Sequence, residues 1–526
     1  MPAFLGFVKS VARYSYERLS AQDASFLVAE RPSVPMHVAG TQIFEAGPLA
    51  RPDGGVDIDA FKRATEAVLH LIPRYRQRLE WIPFENHPVW VDDRQFNLDY
   101  HIRHTALPRP GGSEQLKRMT ARIMAQQLDR SRPLWETWVV EGLEGGRFAV
   151  ISKIHHCMMD GSGGVDLAQI LLSPSPRYEL GEPMAYFPRP VPSSWELLRD
   201  SCVHRLLLPF EVTRSIREFT RQTADWRQEL WTRAQAVGAL LGWAVRPASQ
   251  TPLNGRLGHH RRFDWLTMPL ADVKAVRRAT GCSVNDVILA TVAGAVREFM
   301  VLRRVRPEEI DFRVSAPVSM RRDEERGTLG NRVSSWIVQL PIGELDPMKR
   351  LEMIHAVTQE LKESRQALGV EMIMAMAEWT PTLLMSLGAR AASGPINMIV
   401  TNVPGPQFPL YLLGARLVEA YPTVPLLENT GLGVALFSYD GKLCWGFNAD
   451  YELMPDLLSF VRAISSSFTD LAAAAGVSLQ AHGGPTATGA AVGLSTRSPS
   501  GDDLRAGLRA QPNGGTVETA KSGRAG

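Results

Sequence analysis

Two adjacent histidines followed by an aspartate four residues after the second, in the run His155-His156-Cys157-Met158-Met159-Asp160-Gly161, are the residues of this chain best suited to proton transfer. An imidazole near its ordinary pKa can take a proton from an alcohol at neutral pH, which no other unperturbed side chain does as well. His156, at the His-x3-Asp spacing, is the candidate general base, and His155 can lie buried beneath it. Asp160 need not touch a substrate. Its carboxylate can hold the loop by pairing with an arginine, Arg78 and Arg313 being candidates, and Gly161 marks the turn.

The elements on either side must position that run. Arg147 to Ile154 is β-branched and apolar enough for a buried strand, and Glu144-Gly145-Gly146 supplies a hairpin turn back to Trp138-Val139-Val140. The histidines therefore stand where a strand stops. Asp160 to Gly164 is a turn signal that runs into a short amphipathic helix, Val165 to Leu172. Such a strand–loop–helix junction exposes the second imidazole to a cavity.

Three blander readings compete. The histidine and aspartate could bind a metal, although a strand-end loop lacks the spacing logic of one helical face and no third ligand sits nearby in sequence. The histidines could be satisfied core groups. Cys157 could be a nucleophile, but cysteine is more often a small buried hydrophobe.

Composition narrows the field. At 526 residues with 44% hydrophobic content the chain can fill more than one core, and two domains are expected. A net charge of +3, from 58 basic against 55 acidic residues, is far too small for a phosphate-binding surface, so no nucleic-acid partner is expected. The four cysteines, at 157, 202, 282 and 444, form no CxxC pair, which argues against a zinc site and a disulfide scaffold and fits a reducing cytoplasm. No signal peptide and no spanning helix is expected.

Along the chain, residues 1–190 alternate helical and strand patterns, with helices over Phe61 to Leu71 and Ser113 to Leu128 and strands over Thr41 to Phe44 and Val89 to Val91. A proline-rich connection opens a helical linker over 191–250, broken near Pro209. Its tryptophans and arginines, Trp195 to Trp243, fit either a crossover packed on both domains or a basic amphipathic element on a membrane surface. A second unit spans 251–477. It has a helix over Ser283 to Phe299, strands over Phe312 to Val318, Ser334 to Leu340, Asn397 to Val403, Gly433 to Tyr439 and Leu443 to Phe447, a hairpin at Asp440-Gly441 and a closing helix through Leu457 and Phe468. Residues 478–526, rich in small and polar residues without an aromatic, are expected to be a disordered tail.

The HHxxxDG run resembles that of chloramphenicol acetyltransferase, peptide-synthetase condensation domains and plant acyl-CoA-dependent acyltransferases. Further blocks narrow the likeness: Leu19-Ser-Ala-Gln-Asp23, Pro35-Met36-His37, Leu128-Asp-Arg-Ser-Arg-Pro133-Leu134-Trp135-Glu136, Asn285-Asp286, Pro317-Val-Ser-Met-Arg321, Gly330-Asn331, Asn402-Val-Pro-Gly-Pro406 and Ser438-Tyr-Asp-Gly441. In order and spacing, over roughly residues 17 to 475, they resemble the bacterial wax ester synthase/diacylglycerol acyltransferase family.

That resemblance implies an α/β (α+β) fold, with two chloramphenicol-acetyltransferase-like domains joined by a helical crossover and facing each other across a channel. It implies His156 as general base and Asp160 as the loop's structural acid. Pro133, Leu134 and Trp135 match a block that would line the acyl or alcohol pocket, or are simply core residues at a strand start. Asn285 and Asp286 match a pair that would place polar groups and a helix N-terminus near the site, or only cap that helix. Long-chain acyl-CoA would be co-substrate and diacylglycerol or a fatty alcohol the acceptor, with no metal and no cofactor, at a peripheral membrane or lipid-droplet surface of the cytoplasm. Acylation of another lipid or polyketide alcohol, and a catalytically idle lipid-surface scaffold, are the alternatives.

Overall fold

The computed structural model describes residues 14–52, 55–158, 170–179, 181–206, 248–319, 333–363 and 396–479. Asp160, Gly161, the turn and most of the helix expected after them, the Trp- and Arg-rich stretch beyond residue 206, Met320, Arg321, Gly330, Asn331, the N-terminal Phe4 to Val11 and the tail from residue 480 lie outside the described residues.

The strand that carries the histidines is Arg147–His155, buried at every position but the first. Its side chains alternate between two cores, as a period of two requires. Phe148, Val150 and Ile154 pack with Ala24, Leu27, Phe61 and Ala64, from the helices Ala21–Ala29 and Ile58–Val68. Ala149 and Ile151 pack with Leu116, Ala121 and Ile123 of the helix Ser113–Ala125. The hairpin back to Trp135–Leu143 turns through Gly145 and Gly146, at φ +76° and +64°, a left-handed pair that glycine adopts without a Cβ clash. On its other edge the strand pairs with His37–Glu45 in a register that sets His37 opposite His155.

Seven strands make this sheet, in the order Ile102–Ala106, Trp135–Leu143, Arg147–His155, His37–Glu45, Ala415–Thr423, Tyr411–Leu412 and Leu172–Ser173. A six-stranded sheet follows the order Val333–Leu340, Phe312–Ser319, Met398–Pro404, Leu432–Tyr439, Lys442–Asp450 and Arg261–Pro269. The helices Leu270–Thr280, Val284–Leu302, Pro347–Glu363 and Leu457–Ala474 build its core with it. Gln77–Trp81, Pro88–Asp92 and Glu17–Arg18 form a small third sheet. The mixed α/β class expected from the sequence is the one observed.

Several elements differ from expectation for local reasons. The helix expected to reach Leu71 gives way after Val68 to a 3-10 turn, because Pro73 disfavours helix at the residue before it. The helix expected to reach Leu128 stops at Ala125. Leu172 lies in a two-residue strand rather than in a helix. Ala415–Thr423 carries no clear strand signal, since Pro422 interrupts it and a bulge falls between Leu417 and Glu419, yet it pairs with His37–Glu45. The sheet that holds the histidines is therefore completed by chain from beyond residue 410, and the described residues up to Leu479 form one compact unit.

Candidate active site

The strand ends at His155, and His156–Met158 is a single 3-10 turn. His155 is fully buried whereas His156 is half-buried, the division expected from the sequence. The amide of His156 donates to the carbonyl of Met36 at 2.8 Å. Its ring lies against that of Phe26, centroids 3.9 Å apart. Burial pulls the imidazole pKa down to about 4, so the ring is neutral at neutral pH, with one nitrogen unprotonated. Its Nδ1 is buried and meets no hydrogen-bond partner among the described residues.

His155 is tied on both sides. Nδ1 accepts from the amide of Cys157 at 3.2 Å, with the thiol sulfur 3.0 Å away, so the ring proton belongs on Nε2. That nitrogen faces Glu30 Oε1 at 3.5 Å, an electrostatic contact longer than a good hydrogen bond. Glu30 Oε1 also lies 3.2 Å from Nε2 of His37 and accepts the amide of Met36 at 3.2 Å. Its Oε2 accepts Nε and a terminal nitrogen of Arg130 at 3.1 and 2.8 Å. Burial works to raise the Glu30 pKa, but the facing imidazoles of His155 and His37 outweigh it and hold the carboxyl well below the usual range. Burial, with the nearby charge of Lys153, brings His37 down to about 3.

Cys157 is a buried small residue, 1% exposed, and burial pushes its thiol pKa well up. That is the opposite of what a nucleophilic cysteine requires. Pro133, Leu134 and Trp135 run beneath the histidines: Leu134 and Trp135 are in the core, the carbonyl of Leu134 accepts the amide of His155 at 3.0 Å, and the Trp135 indole donates to the carbonyl of Tyr75 at 2.8 Å. The block supports the histidine-bearing strand from inside.

Asn285 and Asp286 stand elsewhere, in the first turn of Val284–Leu302. Asp286 completes a capping box with Ser283, accepting its amide at 2.8 Å, and also accepts from His355 Nδ1 at 2.8 Å and Thr358 Oγ1 at 2.7 Å. Burial tends to raise its pKa, and the His355 bond and the others lower it further than that. Exposed Asn285 accepts the side-chain amide of Asn402 at 2.8 Å, which joins two separate sequence blocks. Both line a cavity of ≈ 140 Å³ with Trp336, Thr358 and Lys362. Among the described residues no hydrogen bond or ion pair links this group to the histidines.

Folding also creates a group of ligand types that spacing along the chain does not show. Folding brings ligand atoms of Cys282, Asp286 and His355 within 4.8 Å of one another, a cluster invisible at separations of this length. The Asp286 oxygens are already engaged by an amide, an imidazole and a hydroxyl, and the positive end of the helix lies beside them. Those features suit a helix cap better than a cation. Asp160 and Gly161 are outside the described residues; Arg78 bonds Glu80 at 2.7 Å and Arg313 bonds Asp311.

Sequence reasoning missed Glu30, His37 as its partner, Arg130 and Phe26. One signal was available: an acidic residue at the C-terminal end of a helix faces the negative end of the macrodipole, an unfavourable place unless something else requires it.

The blocks that meet around His155 and His156 are those of a known family. Residues 19–288 match the wax ester synthase/diacylglycerol acyltransferase catalytic domain and residues 329–472 match the WS/DGAT C-terminal domain. A protein of Mycobacterium tuberculosis named as a diacylglycerol O-acyltransferase is 32% identical over 478 residues, 86% of this chain and 96% of its own. The fold is similar to that of the wax ester synthase/diacylglycerol acyltransferase of Marinobacter aquaeolei, with a TM-score of 0.62 and 24% identity over 88% of this chain and 100% of that one. It is also similar to the starter condensation domain of rhizomide synthetase, solved with C8-CoA, with a TM-score of 0.54 and 14% identity over 88% and 95% of the two chains. The chain belongs to the wax ester synthase/diacylglycerol acyltransferase family of acyltransferases.

Proposed function

We propose that His156 is the general base of an acyl-CoA-dependent O-acyl transfer that makes triacylglycerol from diacylglycerol and long-chain acyl-CoA, and wax esters when a fatty alcohol is the acceptor. The observation that carries the assignment is the half-buried, neutral imidazole at the end of a rigid strand, with its backbone tied to Met36 and its ring set on Phe26. The named relatives and the family match support the reaction class.

The chemistry needs little else. The acceptor hydroxyl gives its proton to the imidazole as its oxygen attacks the thioester carbonyl, a tetrahedral oxyanion forms, and the carbon–sulfur bond breaks. The imidazolium then protonates the departing CoA thiolate, which returns His156 to its starting state. The donor and the acceptor supply every atom transferred, so the proposal requires neither a metal nor a cofactor.

The substrates are poorly soluble in water, and we infer that the enzyme works on a membrane or lipid-droplet surface. No single helix among the described residues is long and apolar enough to cross a membrane. Phe187, Trp195 and Leu206 are 85%, 71% and 73% exposed at the entrance to the Trp- and Arg-rich stretch. Replacing Arg214, Arg217 and Arg221 by glutamate should weaken co-sedimentation with anionic vesicles, at about 1 kcal/mol per charge.

Purified protein incubated with labelled acyl-CoA and a panel of diacylglycerol, fatty alcohols and polyketide alcohols tests the assignment. His156→Ala should lower transfer by at least about a hundredfold while the melting temperature holds. Full turnover in a folded His156→Ala protein would end the base assignment, and transfer to polyketide alcohols alone would replace the acceptor.

A further inference from the structure

Glu30 lies at the end of a helix that the reaction, as written above, never uses. Its carboxylate is 1% exposed, and three structural routes lead from this residue to residue 156, two through the carboxylate and one through the backbone amide. Through Oε1 it accepts the amide of Met36, whose carbonyl in turn accepts the amide of His156, so a single residue of backbone separates the carboxylate from the base. Through the same oxygen it faces His155 Nε2, and His155 Nδ1 holds the amide of Cys157 on the far side of His156. Its own amide closes the helix Ala21–Ala29 on the carbonyl of Phe26, the residue whose ring lies on that of His156. Residues 26, 36 and 157 thus bracket the base, the last two referred to the carboxylate of Glu30 and the first to its backbone amide.

We propose that Glu30 is the positioning residue of this active site, fixing the ring of His156 through Phe26, Met36 and His155 without touching substrate. The proposal rests on the reading of His156 as the base. A carboxylate suits the task because both of its oxygens only accept: Oε1 takes the amide of Met36 and faces the two imidazoles while Oε2 takes Arg130. An amide at this position must turn its NH2 toward one of these donors. Arg130 supplies the counter-charge that makes burial tolerable, and its second contact, to the carbonyl of Leu27, ties it to the same helix end. The location at the negative pole of the helix is one that stability alone would not select.

The test uses the full chain with palmitoyl-CoA and dioleoylglycerol. Glu30→Gln should lower kcat by at least about tenfold while KM for palmitoyl-CoA stays within about twofold, the pattern of a misplaced reacting group rather than a lost binding contact. In a His156→Ala background the same change should cost nothing further, since there is no ring left to place. The paired variant Glu30→Gln/Arg130→Gln leaves no buried charge unmatched and should fold even where Glu30→Gln does not, with the same loss in kcat. Wild-type kcat in either folded variant, or a further loss on the His156→Ala background, overturns the proposal. Full turnover by His156→Ala alone is read separately, because it removes the base assignment and not the Glu30 measurement.

Discussion

The ring of Phe26 lies almost parallel to the ring of His156, with centroids 3.9 Å and planes 22° apart. A flat apolar face against one side of an imidazole excludes water from that side and disfavours the charged form, which agrees with burial as the leading cause of its depressed pKa. Acid must therefore reach well below pH 6.5 before the proposed base is lost.

Phe26→Ala should let water onto that face and bring the pKa of His156 back up toward the ordinary value. Because the base works only when neutral, the acid limb of kcat/KM should move to higher pH, toward about 6.5. An acid limb that stays where the wild type has it would show that Phe26 does not control the titration.

Two fully buried imidazoles make the fold acid-sensitive. Burial depresses His37 to about 3 and His101 to about 4, in the second case against the raising effect of a bond to the carbonyl of Trp135. Both folded values lie below the unfolded one, so the unfolded chain takes up protons first as pH falls. Stability is then full above about pH 6.5 and declines toward pH 4, by about 1.4 kcal/mol per pH unit for each group. Urea denaturation at pH 7 and at pH 5 should show a lower midpoint at pH 5; equal midpoints would contradict the assignment.

Asp286→Ala removes the reciprocal cap of Val284–Leu302 together with the partners of His355 and Thr358. The expected loss is about 2–4 kcal/mol of stability, seen as a lower melting temperature. An unchanged melting temperature with abolished transfer would instead place Asp286 in the chemistry.

Chelator should leave transfer unaffected, because Asp286 and His355 already bond one another within the helix cap and the Cys282 thiol turns to the carbonyl of Thr280. Loss of activity in chelator, restored by one added metal, would make that cluster a metal centre. Cys157→Ala should also keep its activity, since no acyl group passes through a thiol in a direct transfer; an acyl-cysteine trapped at Cys157 would refute the direct route.

Much of this architecture is legible in the chain because local patterns coincide with tertiary needs. Arg147 to His155 reads as a strand since both its faces are buried, and Glu144-Gly145-Gly146 and Asp440-Gly441 read as turns since their backbone angles demand those residues. The proposed base is visible from residue type and spacing. Its surroundings are not: Glu30, His37 and Arg130 converge from three elements, and nothing in their separate neighbourhoods announces the others. The ligand-like cluster at Cys282, Asp286 and His355 escaped for the same reason. Ala415–Thr423 was hidden by its own proline and by a partner that lies in a distant part of the sequence.

That last strand has a consequence for synthesis. Its pairing sets Glu419 beside Ile43, so one edge of His37–Glu45 stays open on the ribosome until nearly four-fifths of the chain has emerged. At about 5–20 residues per second that interval lasts on the order of tens of seconds, during which an unpaired strand of mixed burial offers its amides and carbonyls to any neighbour. A chain truncated before residue 415 would keep both histidines yet retain that open edge indefinitely, which makes it a species prone to associate with its own copies rather than a smaller enzyme.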